Sequence, residues 1–155
     1  MLIKTTHIQK HRFLLSCLTM VIIMCLNSTV SQGQCRSFAK RKCLPSLEEN
    51  GFSFSGQLNN AVVLEGDKLD ISLTFHEGKT NRLMVCSQPI LGDVSYRLMD
   101  KNRTQLFDSQ SSDVNYFDFK VESTQQLILE ITVPEPETTH GILHEGCICV
   151  LQGYK

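Results

Sequence analysis

Residues 68–75 (KLDISLTF) alternate strictly between apolar and polar side chains, and this alternation constrains the fold more than any other feature of the chain. A period of two is typical of a β-strand that buries one face and exposes the other. Similar alternation recurs at residues 93–99, 115–121 and 126–133. The sequence therefore predicts an all-β, antiparallel fold. The clearest inward-facing residues are Leu69, Ile71, Leu73, Phe117, Phe119, Leu129 and Ile131.

Shorter apolar runs, separated by turn-forming clusters, extend this pattern over most of the chain. Examples of such turns are EGD at 65–67 and HEGKTN at 76–81. Ahead of them, residues 36–44 (RSFAKRKCL) contain good helix formers and stop before Pro45, which predicts a short helix. Eight or nine short strands without a long helix predict a single antiparallel β-sandwich of jelly-roll type. The shorter strands are predicted at residues 52–58, 61–64, 82–87, 104–108 and 146–152.

The N-terminus has the three-part pattern of a secretory signal peptide. Basic residues precede an apolar run at 13–26 (FLLSCLTMVIIMCL), and small and polar residues follow it. This order predicts a signal peptide over residues 1–33, cleaved after Gly33 or alternatively after Ser31, and a secreted or periplasmic protein. The run is shorter than the roughly 20 residues that span a bilayer, so an uncleaved anchor is the weaker alternative. The sequence predicts no transmembrane segment after cleavage.

Removing 33 of the 155 residues leaves 122, a length that fits one domain. The prediction divides it into an N-terminal segment at 34–50, with the short helix, and a β-sandwich domain at 51–155. Because residues 1–33 hold three of the 15 Lys and Arg and none of the 16 Asp and Glu, the remainder has a net charge of −4. An acidic body argues against nucleic-acid binding. The segment itself is basic (RSFAKRK), which indicates a solvated face or, alternatively, contact with an anionic membrane or lipopolysaccharide.

Five cysteines remain after cleavage: Cys35, Cys43, Cys86, Cys147 and Cys149. An odd number in an exported domain predicts two disulfides and one free thiol. Residues two apart in a strand share a face, so Cys147 and Cys149 lie together, and the same parity places Cys86 outward. The N-terminal segment is the natural cover for this face, which predicts that Cys35 and Cys43 each pair with one of the other three. A Cys35–Cys43 disulfide is the main alternative, although a helix rising about 1.5 Å per residue would separate them too far.

Four stretches resemble a family of small exported β-sandwich proteins of Gram-negative bacteria. The resemblance covers nearly all of the chain from Cys35 onward and implies an exported sandwich, but no activity. It also implies that Cys149 is the free thiol, because that family has a cysteine after the glycine matching Gly146 but not at the later position. More weakly, the strand order is similar to the pre-peptidase C-terminal domain, a non-catalytic jelly roll appended to secreted enzymes. The matching stretches are CRSFAKRKC, LEGDKLDISLTFHEGKTNRLMVCSQ, YFDFKVESTQQLILEITVP and GCICVLQGYK.

Three kinds of reactive site are weaker alternatives. Cys147 and Cys149 have the spacing of a redox C-x-C pair, but a direct disulfide would close a small, strained ring. His140 and His144 lie near Cys147 and form an incomplete zinc set in a loop without a rigid helix. Calcium is a further alternative at two turns, where Asp and Asn are common without any metal. The calcium candidates are Asp100, Asn102, Asp108 and Asp113.

The sequence contains no H-E-x-x-H motif and no nucleophile elbow. Since the chain has no tryptophan, a sugar-stacking platform is weak. Phe52 and Phe54, or Tyr116, are the candidates for a small aromatic patch, but core packing is the favoured role of the two phenylalanines. We therefore predict a non-catalytic exported module without a cofactor, with a binding, structural or accessory role at the cell envelope. Its predicted partner is an envelope protein or a polysaccharide. The alternative is an enzyme or thiol-redox protein that uses Cys147 and Cys149 or unrecognised carboxylates.

Overall fold

Eight antiparallel strands form two four-stranded sheets in the computed structural model, which describes residues 30–112, 114–136 and 141–155. Residues 1–29 of the predicted signal peptide lie outside the described residues. The strand bounds are β1 Ser53–Leu64, β2 Lys68–Phe75, β3 Asn81–Ser87, β4 Ser95–Met99, β5 Gln105–Asp108, β6 Tyr116–Phe119, β7 Gln125–Thr132 and β8 Glu145–Tyr154.

The order of the strands is β1–β8–β3–β6 in the first sheet and β2–β7–β4–β5 in the second. β1 pairs with β8, β2 with β7, β3 with β6 and β4 with β5, so the chain behaves as one long hairpin rolled into two layers. This nested pairing is the arrangement of an eight-stranded jelly roll. The predicted antiparallel jelly-roll sandwich is confirmed.

The core between the sheets is built from the residues that the period of two assigns to the inner faces. Ile71 lies opposite Leu129 in the pairing of β2 with β7, and Val85 lies opposite Val150 in the pairing of β3 with β8. Leu129 is fully buried, whereas Ile71 is only partly buried because β2 is an edge strand. The remaining predicted inward residues pack in or against the same core: Leu69, Leu73, Phe117, Phe119 and Ile131.

The first strand differs from the prediction. Residues 52–58 and 61–64 are not two strands but parts of the single strand β1, which pairs with β8 along its length. Its register shifts between Phe54 and Leu58, where the backbone bulges. The two asparagines at 59–60, which separate the two predicted strands, lie within β1, because they pair with Val150 and Cys149 of β8.

The N-terminal segment is helical over a longer range than residues 36–44. It comprises α1 Val30–Phe38, a π-helical turn at Ala39–Cys43 and α2 Leu44–Leu47. The predicted helix end before Pro45 is wrong, because Pro45 occupies the first turn of α2, where a backbone N–H has no helical partner to lose. The predicted cleavage position after Gly33 falls within α1. Within the described ranges, no helix is long and apolar enough to cross a membrane.

This segment covers the outer face of the first sheet and forms a second, smaller core there. Met84 and Leu151 from β3 and β8 are buried against Ala39 and Leu47 of the segment. Leu47 approaches Gly153 so closely that a Cβ on Gly153 would stand 3.3 Å from two of its carbon atoms. The absence of a side chain at Gly153 therefore lets the segment settle on the sheet. The predicted docking of the segment on the sandwich is confirmed.

Candidate binding site

Two disulfides attach the segment to the strands beneath it. Cys35 is bonded to Cys147 of β8, and Cys43 is bonded to Cys86 of β3. These are the four cysteines that the sequence analysis assigned to disulfides. The helical segment runs across the sheet, so Cys35 reaches β8 and Cys43 reaches the neighbouring strand, β3. The sulfur atoms therefore fasten the segment at two points and fix its direction over the sheet.

Among the cysteines that the structure describes, Cys149 is the one without a disulfide, and it is buried. Its Sγ donates to the backbone oxygen of Cys35 at 3.5 Å, and burial raises the pKa of the thiol to about 11. A reactive cysteine needs an accessible, stabilised thiolate, and this environment provides the opposite. With Cys147 bonded to Cys35, the C-x-C pair has the features of a structural element and not those of a redox centre.

A buried arginine reinforces the same junction, and the sequence analysis did not identify it. Arg82 on the outer face of β3 is 2% exposed and forms a two-pronged ion pair with Asp118 of β6, with both N···O distances at 2.7 Å. It also donates to the backbone oxygen of Glu49 at 3.2 Å, and its guanidinium stacks on Phe52. Asp118 raises the pKa of Arg82, so the charge is permanent. In the sequence, the only indication of a buried arginine is a charged residue at the start of the predicted apolar strand at 82–87.

Phe52 and Tyr116, two of the candidates for a small aromatic patch, pack on the guanidinium of Arg82. Phe52 is buried, and the ring centroid of Tyr116 lies 4.1 Å from the guanidinium carbon of Arg82. Phe54 packs in the smaller core beneath the N-terminal segment. The three aromatic side chains thus serve the packing of the segment and do not form a flat, open platform.

The calcium candidates that the structure describes at two turns form hydrogen bonds with neighbouring backbone groups. Asp100 accepts hydrogen bonds from the backbone N–H groups of Asn102 and Thr104, which lower its pKa, and Asp108 accepts one from Gln110. These contacts are the ordinary caps of turns. Asp113 and His140 lie outside the described residues. In the part of the chain that the structure describes, no three His, Cys, Asp or Glu side chains are grouped to hold a metal ion.

A concave surface lies at one end of the sandwich, and we call it the end groove. Three connections form it: the β1–β2 turn, the β3–β4 loop and the loop between β7 and β8. Its volume is about 550 Å³, within the size range of binding pockets. The lining residues that determine its charge and its exposed apolar surface are Glu65, Ile90, Asp93, Glu135, Ile142 and His144.

Backbone contacts hold the three connections of the end groove together. The N–H of Glu65 donates to the oxygen of His144, and the N–H of His144 donates to the carboxylate of Glu65 at 3.0 Å. The N–H of Gly66 donates to the oxygen of Pro134 at 2.8 Å. On the floor, a Cβ on Gly146 would stand 2.8 Å from Leu91, so glycine is required for the β3–β4 loop to fold against β8. The groove is therefore a built feature and not a gap between free loops.

The end groove is acidic and carries exposed apolar side chains. Glu65 is ionised at neutral pH, because the hydrogen bond from the His144 backbone lowers its pKa. Two further carboxylates, Asp93 and Glu135, line the groove, and no lysine or arginine does so among the described residues. Ile90 is 52% exposed and Ile142 is 86% exposed. Large apolar side chains at such exposure beside fixed negative charge are typical of an interaction surface.

Sequence reasoning did not locate this groove, since its residues come from three loops far apart in the chain. The only accessible sign was the apolar pair at 142–143 within the otherwise polar loop at 134–146. Among the groove residues only His144 was singled out, as part of a zinc hypothesis, and the structure places it beside Glu65, with Nδ1 3.2 Å from the carboxylate.

Comparisons with known proteins give no family for this chain. No family model and no curated protein matches it. A solved structure of Aeromonas hydrophila PliG, a periplasmic lysozyme inhibitor of g-type lysozyme, is similar at 6% identity and a TM-score of 0.45, over 62% of this chain and 84% of that one. A de novo designed double-stranded β-helix is similar at 10% identity and a TM-score of 0.29, over 62% and 97%. The suggested similarity to the pre-peptidase domain has no counterpart in these comparisons.

Proposed function

We propose that this protein is an exported, non-catalytic binding module of the cell envelope that recognises a protein partner through the end groove. The observation that carries the proposal is the combination of exposed Ile90 and Ile142 with three carboxylates in one groove. Such a surface complements an apolar anchor flanked by lysine or arginine. A polysaccharide partner is less well matched, because the groove has no aromatic platform among its lining residues.

Export is supported by the sequence and by the chemistry of the fold. The basic start and the apolar run at 13–26 form the signal-peptide pattern. Two disulfides that hold a helical segment on a sheet are suited to an oxidising compartment. We therefore place the protein in the periplasm or outside the cell, with residues 34–50 as the docked segment and 51–155 as the sandwich.

Site-specific photo-cross-linking in the native host tests the proposed surface. A photoreactive phenylalanine at Ile142 should give a discrete cross-linked product whose protein component has a basic surface. The matched control is the same residue at Leu106, which is 49% exposed on β5 and does not line the groove. Equal products at both positions, or a product at Leu106 alone, would contradict the assignment.

Charge reversal with the purified cross-linked partner sharpens the test. Replacing both Asp93 and Glu135 with Lys should weaken binding at least tenfold and reverse its dependence on salt, because the groove then repels basic residues and salt screens this repulsion. The control replaces Asp70 and Glu122, which lie outside the groove, with Lys. Unchanged affinity of the Asp93/Glu135 variant would show that the partner binds elsewhere.

A further inference from the structure

A second cleft opens along the side of the sandwich, where the two sheets part between β1 and β2. Both strands are at the edges of their sheets, so no backbone pairing closes this side. We call the opening the side cleft. Two hollows lie on consecutive stretches of β1, β2 and β8 along this side: an apolar section of about 340 Å³, and a polar section of about 280 Å³ in which Gln152 of β8 donates to the backbone oxygen of Thr74 of β2 at 3.2 Å.

The apolar section reaches the inner faces of the two sheets. Ile148 and Val150 of β8 form its floor, and Leu69 and Ile71 of β2 form one wall. The opposite wall is β1, where Ala61 faces Ile148 in the register and leaves the mouth wide. Leu69 and Ile71 are therefore only partly buried, although both pack against the main core. A hydrocarbon chain in this section would complete their burial.

The apolar section contains one polar group that the fold leaves unused. The Nδ2 atom of Asn59 is buried and has no hydrogen-bond partner among the described residues. Asn59 shares the inward parity of Ala61 and Val63 and lines the cleft. A buried amide donor without an acceptor is unfavourable, so a ligand acceptor at this point would be favoured. Rotation of the amide about χ2 is soft and turns this donor toward the cleft.

The polar section is cationic. His76 and Lys79 line it together with Gln57, Gln152 and Tyr154, and no carboxylate does so among the described residues. Lys79 is held in place, with its Nζ 3.7 Å from the centroid of the Tyr154 ring. The side chain of buried Asn81 donates to the backbone oxygens of His76 and Lys79 and so orders this wall. The charge of the section complements an anion.

We propose that the side cleft binds a single-chain acyl compound with an anionic headgroup. The chain lies between the sheets on Leu69, Ile71 and Val150, and its carbonyl oxygen accepts a hydrogen bond from Asn59. The headgroup lies in the polar section, against Lys79. The order of apolar wall, unpaired buried amide donor and cation along this side matches the order of chain, carbonyl and anion in such a molecule. A carboxylate and a phosphate headgroup share this chemistry.

Three probes separate the parts of the proposal by isothermal titration calorimetry of the full chain, each below its critical micelle concentration. N-lauroylglycine has the chain, a carbonyl and a carboxylate; monolaurin has the chain and a carbonyl but no charge; dodecyl phosphate has the chain and an anion but no carbonyl. N-lauroylglycine should bind the wild type more tightly than monolaurin, because only it engages the cation. Dodecyl phosphate reports whether a phosphate replaces the carboxylate.

Single substitutions test which residue of the side cleft binds which part of the probe. Asn59→Leu should weaken N-lauroylglycine and monolaurin about threefold to tenfold and leave dodecyl phosphate unchanged. Lys79→Gln should weaken the two anionic probes about tenfold and leave monolaurin unchanged. Ala61→Trp, which fills the mouth, should weaken all three probes. The control is Lys101→Gln, at an exposed lysine in the β4–β5 turn.

Failure of Ala61→Trp to fold does not weaken the test, because the opposite selectivities of Asn59→Leu and Lys79→Gln do not depend on it. Absence of binding by the wild type overturns the proposal. So does binding that all four variants leave unchanged, which would indicate an apolar surface elsewhere. Since none of these residues lines the end groove, the outcome is independent of the proposed protein partner.

Discussion

The two faces of the first sheet, β1–β8–β3–β6, are both buried but by different means. The inner face is covered by the second sheet and packs almost wholly through aliphatic and aromatic side chains. The outer face is covered by the N-terminal segment, and its contacts include two disulfides, a free thiol and the buried charge of Arg82. One interface is held by apolar area, and the other adds covalent and ionic links.

The difference follows from size. The inner face meets a second sheet of four strands. This contact removes a large apolar area from water, so it needs no covalent or ionic link. The outer face meets a segment with two short helices, which buries few large side chains and would not stay on the sheet through apolar contact alone. Disulfides and a buried ion pair compensate for this small area.

Truncating Leu129 to Ala should have the largest effect, because it acts on the inner face. Leu129 is 0% exposed and lies opposite Ile71 and Leu98 on its two neighbouring strands. We expect the free energy of unfolding to fall by about 2–5 kcal/mol, measured by chemical denaturation. The exposed Leu106→Ala is the control. A loss below about 1 kcal/mol would mean that β7 does not form the centre of the core.

Removing the disulfide between Cys43 and Cys86 tests the outer face. The double variant Cys43→Ser/Cys86→Ser should lower the free energy of unfolding by about 2–4 kcal/mol. Hydrogen exchange should speed up in the N-terminal segment before it does so in β7, because the core between the sheets does not depend on this bond. Uniform loss of protection over both regions would show that the two faces fold as one unit.

Replacing Arg82 with Met separates the ionic from the covalent contribution to the outer face. The variant keeps apolar contact with Phe52 but leaves the backbone oxygen of Glu49 without its donor. We expect a loss of about 1–3 kcal/mol, below that of a fully buried pair since Asp118 is one-third exposed and stays solvated. Asp118→Asn, which removes only the charge of the partner, should cost less. Equal losses would assign the effect to the ion pair alone.

The smallest effect, and one of opposite sign, is expected at Tyr96 in the inner core. Its hydroxyl is buried without a hydrogen-bond partner among the described residues, and burial raises its pKa. Tyr96→Phe removes an unsatisfied group and should leave stability unchanged or increase it by about 1 kcal/mol. Thermal denaturation of the variant beside the wild type provides the measurement. A clear loss of stability would show that the hydroxyl has a partner.

The inner face was predictable because its rule is local. Alternation at residues 68–75 and 126–133 places Ile71 and Leu129 on the inner side whichever strands pair, so the core followed without any tertiary information. The parity of Cys86, Cys147 and Cys149 followed in the same way, and with it the need for a covering segment. The division of β1 into two strands failed, because Asn59 and Asn60 interrupt the apolar pattern of the sequence but pair regularly with β8 in the structure.

The two clefts belong to the part that the sequence did not reveal. Glu65, Asp93 and Glu135 are 28 and 42 residues apart along the chain, and they share the end groove only because the jelly roll brings three loops to one end. Asn59 and Lys79 line the side cleft because β1 and β2 end up as edges of opposite sheets. Neither the end groove nor the side cleft corresponds to a periodic pattern in the sequence, because the lining residues come from separate strands and loops.

The sequence by itself determined the period of two, the parity of the cysteines and the pattern of a signal peptide, since each depends on residues that are neighbours in the chain. The tertiary structure alone decided which cysteine bonds to which, that Arg82 would be buried, and where the sandwich remains open. The physical reason is the same in each case. Strand geometry fixes the side to which a residue points, but only long-range pairing fixes what it meets there.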